Sequence, residues 1–235
     1  MTTTNISNPE QHTIDAKVYG NKGNENVLKQ VPATVSSVLD IGCGRGDNAE
    51  HLKKRGAVVD GITISEQELE HAKMFLRTGV LYNAEKGLPE VVKSNKYDVV
   101  ICSHVIEHLQ YPQQLLKDIQ KVMTSDSIFI VALPNIMHYR SRWELIKGNF
   151  NYEDSGIWDN THWKWYTFQS GKELLSSNGF EVVKADVTGD VPLLSIFKRL
   201  LPGGLRARLF NLLKGISKGF FGYELLYVCK IKAAK

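Results

Sequence analysis

The sequence has few cysteines, and none of them lie close together. Its 235 residues include three cysteines, Cys43, Cys102 and Cys229, without a C-x-x-C pair. An odd number of widely spaced cysteines argues against a disulfide framework and favours reduced thiols. We therefore expect a cytoplasmic protein.

Long apolar runs are also missing. No stretch of about 18 apolar residues is present, so no membrane-spanning helix is predicted. The opening stretch MTTTNISNPEQHTID is polar and lacks the basic and apolar regions of a signal peptide. Hydrophobic residues nevertheless make up 43% of the chain and charged residues 23%, which predicts a globular domain with a sizeable core.

Negative charge is scarce at the end of the chain. Residues 191–235 contain nine Lys or Arg and one acidic residue, Glu224, so this segment carries +8 while residues 1–190 carry −4. The positive charge is a local patch and not a basic stripe interleaved with aromatic residues. We therefore expect no nucleic-acid partner.

Predicted strands and helices alternate along most of the chain. The predicted strands are 35–41, 57–64, 80–82, 97–102, 127–133, 180–187 and 224–231, and the predicted helices are 47–55, 65–76, 113–123 and 171–178. The strands are continuously apolar, as in a sheet that is buried on both faces. This pattern predicts an α/β fold with a parallel sheet between helical layers.

Alternating glycines follow the first predicted strand, in the stretch VLDIGCGRG. The spacing is Gly42-x-Gly44-x-Gly46, preceded by Asp40. Glycine lets a ligand approach the main chain, and parallel sheets bind ligands beyond the carboxyl ends of their strands. A dinucleotide site would carry a third glycine where Asp47 stands, beside a pyrophosphate. The acidic residues favour a cationic ligand without phosphates.

Four motifs in order resemble those of the class I S-adenosylmethionine-dependent methyltransferases. They are VLDIGCGRG, AVVDGITIS, YNAE and YDVVICSHVIEHL, and the resemblance covers about residues 30–135, continuing more loosely to the C-terminus. It implies a Rossmann-like, doubly wound, mainly parallel seven-stranded sheet. It also implies a methyltransferase of EC 2.1.1 type that uses S-adenosylmethionine and releases S-adenosylhomocysteine.

The same resemblance implies which residues bind the cofactor. They are Tyr19, Asp40, Gly42, Cys43, Gly44, Thr63, Ser65, Asn83, Ala84, Ser103 and His104. Two positions depart from the family pattern, since Thr63 replaces the usual acid for the ribose and Asn83 replaces the usual Asp beside the adenine. We expect Thr63, Ser65 and their neighbours to contact the ribose.

The resemblance and the pattern together divide the chain into four parts. They are an N-terminal helical lid (1–30), a cofactor-binding core (31–135), an aromatic cap that binds the acceptor (136–170) and C-terminal strands (171–235) with a basic helical insertion at 192–220. Insertions on a rigid scaffold often carry specificity. The predicted acceptor-binding residues are Tyr139, Arg142, Trp143 and Trp163.

Methyl transfer to a hydroxyl needs a base, and histidine is suited to this near neutral pH. The candidates are His104, His108 and His162. In GIWDNTHWKWYTF, Asp159 precedes His162 by three residues among aromatic side chains, and the stretch resembles a D-x-x-H segment of small-molecule and glycan-associated methyltransferases. We predict His162 as the base or an acceptor-positioning group, with Asp159 fixing its tautomer and His108 as a further catalytic candidate. The alternative is a structural histidine in a packed sheet edge.

A metal site is the less favoured interpretation of the run H-x-x-E-H, formed by His104, Glu107 and His108. Some relatives hold a divalent ion with E-x-x-E-H and a distant histidine. Here a histidine replaces the first glutamate, so we predict no metal, with these three residues as the alternative site.

The basic segment 205–220 has an amphipathic pattern. Leu205, Leu209, Leu212 and Ile216 would share one face of a helix. This predicts a helical hairpin that caps the sheet or forms a homodimer contact, or else a peripheral contact with an anionic membrane.

The sequence as a whole predicts O-methylation of a small molecule or of a sugar or glycan precursor. The alternatives are N- or C-methylation, a quinone-type acceptor, and a non-catalytic protein that binds S-adenosylmethionine.

Overall fold

The computed structural model describes residues 23–189 and 203–233. Tyr19 and most of the predicted N-terminal lid lie outside the described residues, as does the first part of the basic insertion. Among the helices of the described residues, none is long and apolar enough to cross a membrane.

Helices and strands alternate as the sequence predicts. In chain order they are α1 (Glu25–Leu28), β1 (Ser37–Ile41), α2 (Asp47–Lys54), β2 (Val58–Thr63), α3 (Glu66–Ala72), β3 (Thr78–Leu81), α4 (Glu90–Lys93), β4 (Tyr97–Ser103), α5 (Gln113–Val122), β5 (Met123–Pro134), α6 (Tyr139–Ile146), α7 (Phe168–Ser177), β6 (Phe180–Thr188), α8 (Gly203–Ile216), α9 (Lys218–Phe221) and β7 (Glu224–Ile231). Short 3₁₀ turns cover Ala84–Lys86 and Ile106–His108.

The strands of the described residues form one seven-stranded sheet in the order β3-β2-β1-β4-β5-β7-β6. The pairs among β1 to β5 are parallel, whereas β7 runs antiparallel to both β5 and β6. Apolar clusters bury both faces of the sheet. The predicted α/β, Rossmann-like, mainly parallel sheet is confirmed.

Two predicted boundaries near β2 are wrong. Helix α3 ends at Ala72 instead of residue 76, and β3 covers Thr78–Leu81 instead of 80–82. The Arg77 N–H donates to the carbonyl of Val59 at 2.7 Å, so pairing with β2 begins earlier than expected. The chain has to leave the helix before this pairing can start.

Residues 136–167, most of the predicted aromatic cap, contain α6 and return to the sheet edge from which they leave. Asn135, which follows β5, forms a parallel bridge with Tyr166. Beside it, the Ile136 N–H donates to the Tyr166 carbonyl at 3.1 Å. The segment between these residues therefore projects from the carboxyl edge of the parallel strands.

The face of α8 that packs against the sheet differs from the predicted one. Phe210 is buried, with Leu209 and Leu213 partly buried beside it. Leu205, Leu212 and Ile216 are exposed by 49%, 65% and 73%. An ion pair at 2.9 Å between Lys214 Nζ and Asp186 on β6 helps to fix this rotation of the helix. The predicted dimer and membrane contacts stay predictions.

The reversal of β7 places its first residue at the functional edge of the sheet. Glu224 pairs with Pro134, the last residue of β5, and with Thr188, the last residue of β6. If β7 were parallel to β5, its first residue would lie at the opposite edge of the sheet. The fold thereby adds a carboxylate to the edge where the parallel strands end.

Candidate active site

The site lies where β1 and β4 run side by side. The chain continues to β2 and β3 on one side of this pair and to β5 on the other, which is the switch point where open α/β sheets bind ligands. The loops that follow the two strands touch, since a Cβ on Gly42 would lie 2.2 Å from Val105 Cγ2. Residues 42–46 and 103–108 therefore border one crevice.

The glycines after β1 are needed for the backbone path. Gly42, Gly44 and Gly46 have φ values of 72°, 52° and 83°, in the left-handed region that favours glycine. The N–H groups of Gly42 and Cys43 both donate to the carbonyl of Ile62, at 2.8 and 2.9 Å. Contacts from these two residues to a ligand must therefore come mainly from their carbonyl oxygens, which suits a cationic group.

Asp40 is a buried carboxylate at the end of β1. It is 1% exposed, and neither of its oxygens has a hydrogen-bond partner. Burial raises the pKa of Asp40 to about 7; the nearby Asn48 side chain acts against this shift and the charge of Asp47 adds to it, but Asn48 is not within hydrogen-bond geometry of either oxygen. A buried charge of this kind needs a partner. The ammonium group of an amino-acid ligand fits this position.

A carboxylate lies beside the end of β2, although Thr63 itself replaces the usual acid. It comes from Glu68 on α3, the helix that follows. Ser65 Oγ caps α3 by accepting the Glu68 N–H at 3.4 Å. The Thr63 hydroxyl donates to Glu68 Oε2 at 2.9 Å, and Glu68 is 5% exposed. Glu68 is not among the predicted site residues, although Ser65 and Glu68 have the three-residue spacing of a capping box. A Cβ on Gly44 would lie 3.8 Å from its carboxylate, so Glu68 borders the glycine loop.

Asn83 has a structural role in addition to its predicted one. Its Oδ1 accepts the Glu85 N–H at 2.8 Å and caps the 3₁₀ turn that begins at Ala84. The second lone pair of Oδ1 and the amide N–H₂ remain suitable for an adenine edge. Ser103, at the end of β4, accepts a hydrogen bond from Asn24 Nδ2 at 3.2 Å.

His104 is held between two carboxylates. Its Nδ1 lies 3.3 Å from Glu107 Oε1, and its Nε2 lies 2.8 Å from Glu224 Oε1. Burial would lower the pKa of His104, but these two hydrogen bonds raise it to about 10. The same pairing lowers the pKa of Glu107 despite its complete burial. A histidine that is protonated in this way is unsuited to act as the base.

His162 has the properties that His104 lacks. It is 9% exposed, and its Nδ1 lies 3.2 Å from the carbonyl oxygen of Ile157. Burial lowers its pKa, so the ring is neutral near pH 7. With the proton on Nδ1, the lone pair of Nε2 is available to accept a proton.

The hydrogen-bond partner of His162 Nδ1 is the Ile157 carbonyl, while Asp159 Oδ1 accepts the N–H and the hydroxyl of Thr161 at 2.8 and 2.6 Å. The Thr161 hydroxyl in turn lies 3.0 Å from His108 Nδ1. Asp159 therefore organises the loop that carries the histidines, and its charge also acts to raise the pKa of His162; its predicted role toward the His162 ring stays a prediction.

Among the described residues, the group that could hold a metal ion also differs from the alternative site given by the sequence. Glu107, His108 and His162 offer ligand atoms that all lie within 4.8 Å of one another. Glu107 Oε2 is buried without a hydrogen-bond partner. His104 is directed to Glu224, so His162 replaces it in the potential ligand set.

The predicted acceptor residues are divided between two places. The Trp163 N–H donates to the Glu107 carbonyl at 2.9 Å, and this side chain is 63% exposed beside the histidines. Trp143 on α6 is 60% exposed. Tyr139 and Arg142 pack instead toward Phe220 on α9, at 6.2 and 5.3 Å.

A further histidine was not predicted from the sequence. His138 is 3% exposed and lies against the rings of Tyr139 and Tyr223, at 4.3 and 5.4 Å. Its Nδ1 has no hydrogen-bond partner, and burial lowers its pKa to about 4. No local motif marks it, because part of its surroundings comes from Tyr223, which precedes β7 and is distant in sequence.

Comparison with known families agrees with this geometry. A family model described as a methyltransferase domain matches residues 19–185. The chain belongs to this family and carries a class I S-adenosylmethionine-dependent methyltransferase domain.

Curated relatives match over part of their length. A ubiquinone biosynthesis O-methyltransferase of Shewanella sp. (strain ANA-3) is 38% identical over 84 residues, covering 34% of this chain and 36% of the relative. The corresponding protein of Rickettsia canadensis (strain McKiel) is 36% identical over 102 residues, 43% of each chain. The chain thus matches only about two fifths of the length of these relatives.

Solved structures share the fold over most of the chain. A S-adenosylmethionine-dependent methyltransferase from Archaeoglobus fulgidus has a TM-score of 0.60 at 24% identity, covering 84% of this chain and 87% of that one. An O-methyltransferase of a trans-AT polyketide synthase from Brevibacillus brevis, in complex with S-adenosyl-L-homocysteine, has a TM-score of 0.53 at 17% identity, covering 88% and 70%.

Two glycine substitutions should separate folding from cofactor binding. A Cβ at position 42 would collide with Val105, whereas one at position 44 would make only ordinary van der Waals contact with Glu68, at 3.8 Å, so its main cost is the positive φ. We expect Gly44→Ala to cost about 1–2 kcal/mol of unfolding free energy and to weaken S-adenosylhomocysteine binding. Gly42→Ala should cost clearly more. Urea unfolding and calorimetric titration measure both, and equal destabilisation by the two variants would contradict this account.

Asp40 should destabilise the cofactor-free protein as pH rises. Its pKa is near 4 when unfolded and about 7 when folded, so between these values the folded state binds more protons and stability falls with increasing pH. At pH 8 we expect Asp40→Asn to be more stable by on the order of 4 kcal/mol, with little difference at pH 4. It should not bind S-adenosylhomocysteine.

Asp98→Asn provides the matched control for this pH effect. Asp98 Oδ2 accepts the N–H groups of Ser36 and Ser37, both at 2.9 Å, and these bonds outweigh burial and lower its pKa. Asp98→Asn should be less stable than the parent protein at pH 8 and should still bind S-adenosylhomocysteine. The same sign of change in both variants would refute the assignment of Asp40.

Proposed function

We propose that this member of the methyltransferase-domain family transfers a methyl group from S-adenosylmethionine to an oxygen atom of a small-molecule or sugar acceptor. The observation that carries the proposal is the pairing of an unpartnered buried carboxylate, Asp40, with a buried neutral histidine, His162, at one edge of the sheet. The first suits the ammonium end of the donor. The second suits removal of a hydroxyl proton.

The residues around the crevice fit the donor. Asp40 and the Gly42 carbonyl would hold its amino-acid end, and Glu68 with Thr63 would accept the ribose hydroxyls. Asn83 would contact the adenine. When bound, S-adenosylmethionine supplies an electrophilic methyl group on a sulfonium whose sulfur becomes neutral as it leaves.

His162 would take the proton that the acceptor loses. As the new bond from oxygen to the methyl carbon forms, the hydroxyl proton passes to Nε2 of His162, while the Ile157 carbonyl keeps Nδ1 protonated. The hydrogen bond to Ile157 also orients the ring. Because the leaving sulfur needs no proton, one base is enough.

The acceptor side supports a partly apolar molecule. Trp163 is anchored through its backbone to Glu107 and leaves most of its side chain exposed next to His108 and His162. Aromatic faces bind flat rings or the apolar face of a sugar. The relatives that match in part are O-methyltransferases by name, which favours oxygen as the acceptor atom.

Other outcomes are distinguished by the products. N- or C-methylation would yield a different methylated atom, and a quinone-type acceptor would be a phenol with an apolar tail. A non-catalytic protein would bind the donor yet release no S-adenosylhomocysteine with any acceptor.

A second candidate is O-methylation assisted by a divalent cation. The unpartnered Glu107 Oε2 close to His108 and His162 favours it, because a buried carboxylate oxygen otherwise stays unsatisfied. A cation there would polarise the acceptor oxygen and lower its pKa.

Replacing His162 should remove turnover and leave donor binding. We expect His162→Gln to lower release of S-adenosylhomocysteine at least about 100-fold across a panel of catechols, phenols and sugars that the parent methylates, with a nearly unchanged dissociation constant for the donor. Since burial lowers the pKa of His162, turnover by the parent should persist below pH 6.5 and fall as pH drops through that lowered pKa.

His71→Gln is the control, because His71 lies on the exposed side of α3. It should retain parental turnover. Parental turnover in His162→Gln would instead refute the role of His162 as the base.

Metal titration tests the second candidate. Dialysed protein would be titrated with Mg²⁺, Mn²⁺ or Zn²⁺ by calorimetry, with His108→Ala and His71→Gln as the paired variants. Binding that is lost only in His108→Ala would support a cation at this cluster. An absence of binding by the parent would leave the histidine base as the mechanism.

A further inference from the structure

Glu224 joins three parts of the chain at the edge of the site. Its Oε1 lies 2.8 Å from His104 Nε2 and 2.6 Å from Asn24 Nδ2. Its Oε2 accepts the Thr188 hydroxyl at 2.7 Å and lies 3.4 Å from Asn26 Nδ2. Glu224 is 7% exposed. A glutamate that serves only to begin a strand would not need such a set of partners.

The contacts of His104 define its charge. Its two ring nitrogens face Glu107 and Glu224, and carboxylates are acceptors only. Both nitrogens therefore carry protons, and the ring is an imidazolium. Glu107, His104 and Glu224 together carry one net negative charge.

The backbone of His104 has an unfavourable conformation at the position of these contacts. Its φ of 56° is the one positive value among the non-glycine residues that the structure describes. Such a conformation persists where the surroundings hold it, and it is frequent at functional sites. The His104 N–H donates to the Ala132 carbonyl at 3.0 Å, and the ring contacts both carboxylates, so backbone and side chain are each fixed.

Asn24 spans the same edge. Its backbone N–H donates to Asn48 Oδ1 at 2.8 Å, and its side chain donates to Ser103 and Glu224. It also caps α1 by accepting the N–H groups of Asn26 and Val27. The segment that precedes β1 is thus fastened to the end of β4, the start of β7 and the start of α2.

We propose that Glu224 is a positioning residue of the methyl-donor site, which fixes the imidazolium of His104 at the tip of β4 and fastens Asn24 across the crevice. The negative charge that Glu224 adds makes the trio net anionic. The inference depends on the proposed function, in which the donor binds in the crevice between β1 and β4.

This charge would distinguish the donor from its product. S-adenosylmethionine has a positively charged sulfonium, whereas S-adenosylhomocysteine is neutral at sulfur. An anionic trio at the crevice attracts the first more than the second. Glu224 would thereby favour release of the product and its replacement by fresh donor.

Calorimetric titration with the two ligands tests the proposal without any acceptor. For Glu224→Gln we expect affinity for S-adenosylmethionine to fall about tenfold and affinity for S-adenosylhomocysteine about threefold or less. The ratio of the two affinities should change, which a general loss of packing would not cause. An unchanged ratio in the folded variant would overturn the proposal.

Two variants separate the charge from its surroundings. Asn24→Ala keeps the charges of Glu107, His104 and Glu224 but removes the side-chain hydrogen bonds of Asn24. It should therefore lower the affinity for both ligands equally and leave the ratio of the two affinities unchanged. Glu181→Gln removes one negative charge at an exposed position of β6 and should alter neither affinity. A ratio that shifts equally in Glu181→Gln and Glu224→Gln would assign the effect to overall charge and contradict the proposal.

His104→Gln gives a test that does not depend on Glu224→Gln folding. Loss of the imidazolium makes the trio more negative, so preference for the charged donor should increase, opposite to the effect of Glu224→Gln. A preference that falls or stays constant would overturn the proposal. If the parent protein binds neither ligand, it is the proposed function that fails instead.

Discussion

A carboxylate buried without a partner at the end of the central strand is the constraint on which the site depends. Asp40 is on β1, which lies between β2 and β4, and neither of its carboxylate oxygens has a hydrogen-bond partner. Such a group is tolerated because the surrounding core is large and closed on both faces. It also makes the cofactor-free state incomplete, since a cation in the crevice removes the cost of the buried charge. Affinity for a cationic ligand and lost stability in its absence therefore have one origin.

The reversal of β7 has the second largest consequence for the site. A sheet of parallel strands alone would bring only the residues after each strand to this edge. An antiparallel β7 inserted between β5 and β6 brings the beginning of a strand to the same edge, and with it Glu224. The second carboxylate beside His104 thus comes from a residue 120 positions away in sequence, and it changes a potential base into a fixed cation.

The sequence predicted the strands and the position of the crevice well, because both follow from local patterns. The apolar runs and the spacing of Gly42, Gly44 and Gly46 depend on backbone geometry within a few residues. The charge states could not be predicted in the same way. Whether His104 or His162 is neutral depends on Glu224 and on the Ile157 carbonyl, which are placed by topology and by an irregular loop. The Ile157 carbonyl shows the same limit, since no sequence motif indicates that it faces His162 Nδ1.

The two histidines show how one edge can hold opposite charge states a short distance apart. His104 is flanked by carboxylates on both nitrogens and stays protonated, whereas His162 donates to a neutral carbonyl and loses its proton easily because it is buried. Glu107 is shared between them, since its Oε1 lies 3.3 Å from His104 Nδ1, its Oε2 has no hydrogen-bond partner, and its carboxylate lies within 4.8 Å of ring nitrogens of His108 and His162. If Glu107 is committed to neutralising His104, little of its charge remains to bind a metal ion, and a neutral histidine base is favoured. If a cation occupies the cluster, Glu107 has to be shared, and the hold of Glu224 on His104 becomes more important. Because Glu107 contacts both His104 and the histidine cluster, the choice between a histidine base and a bound cation depends on how firmly Glu224 of β7 holds His104.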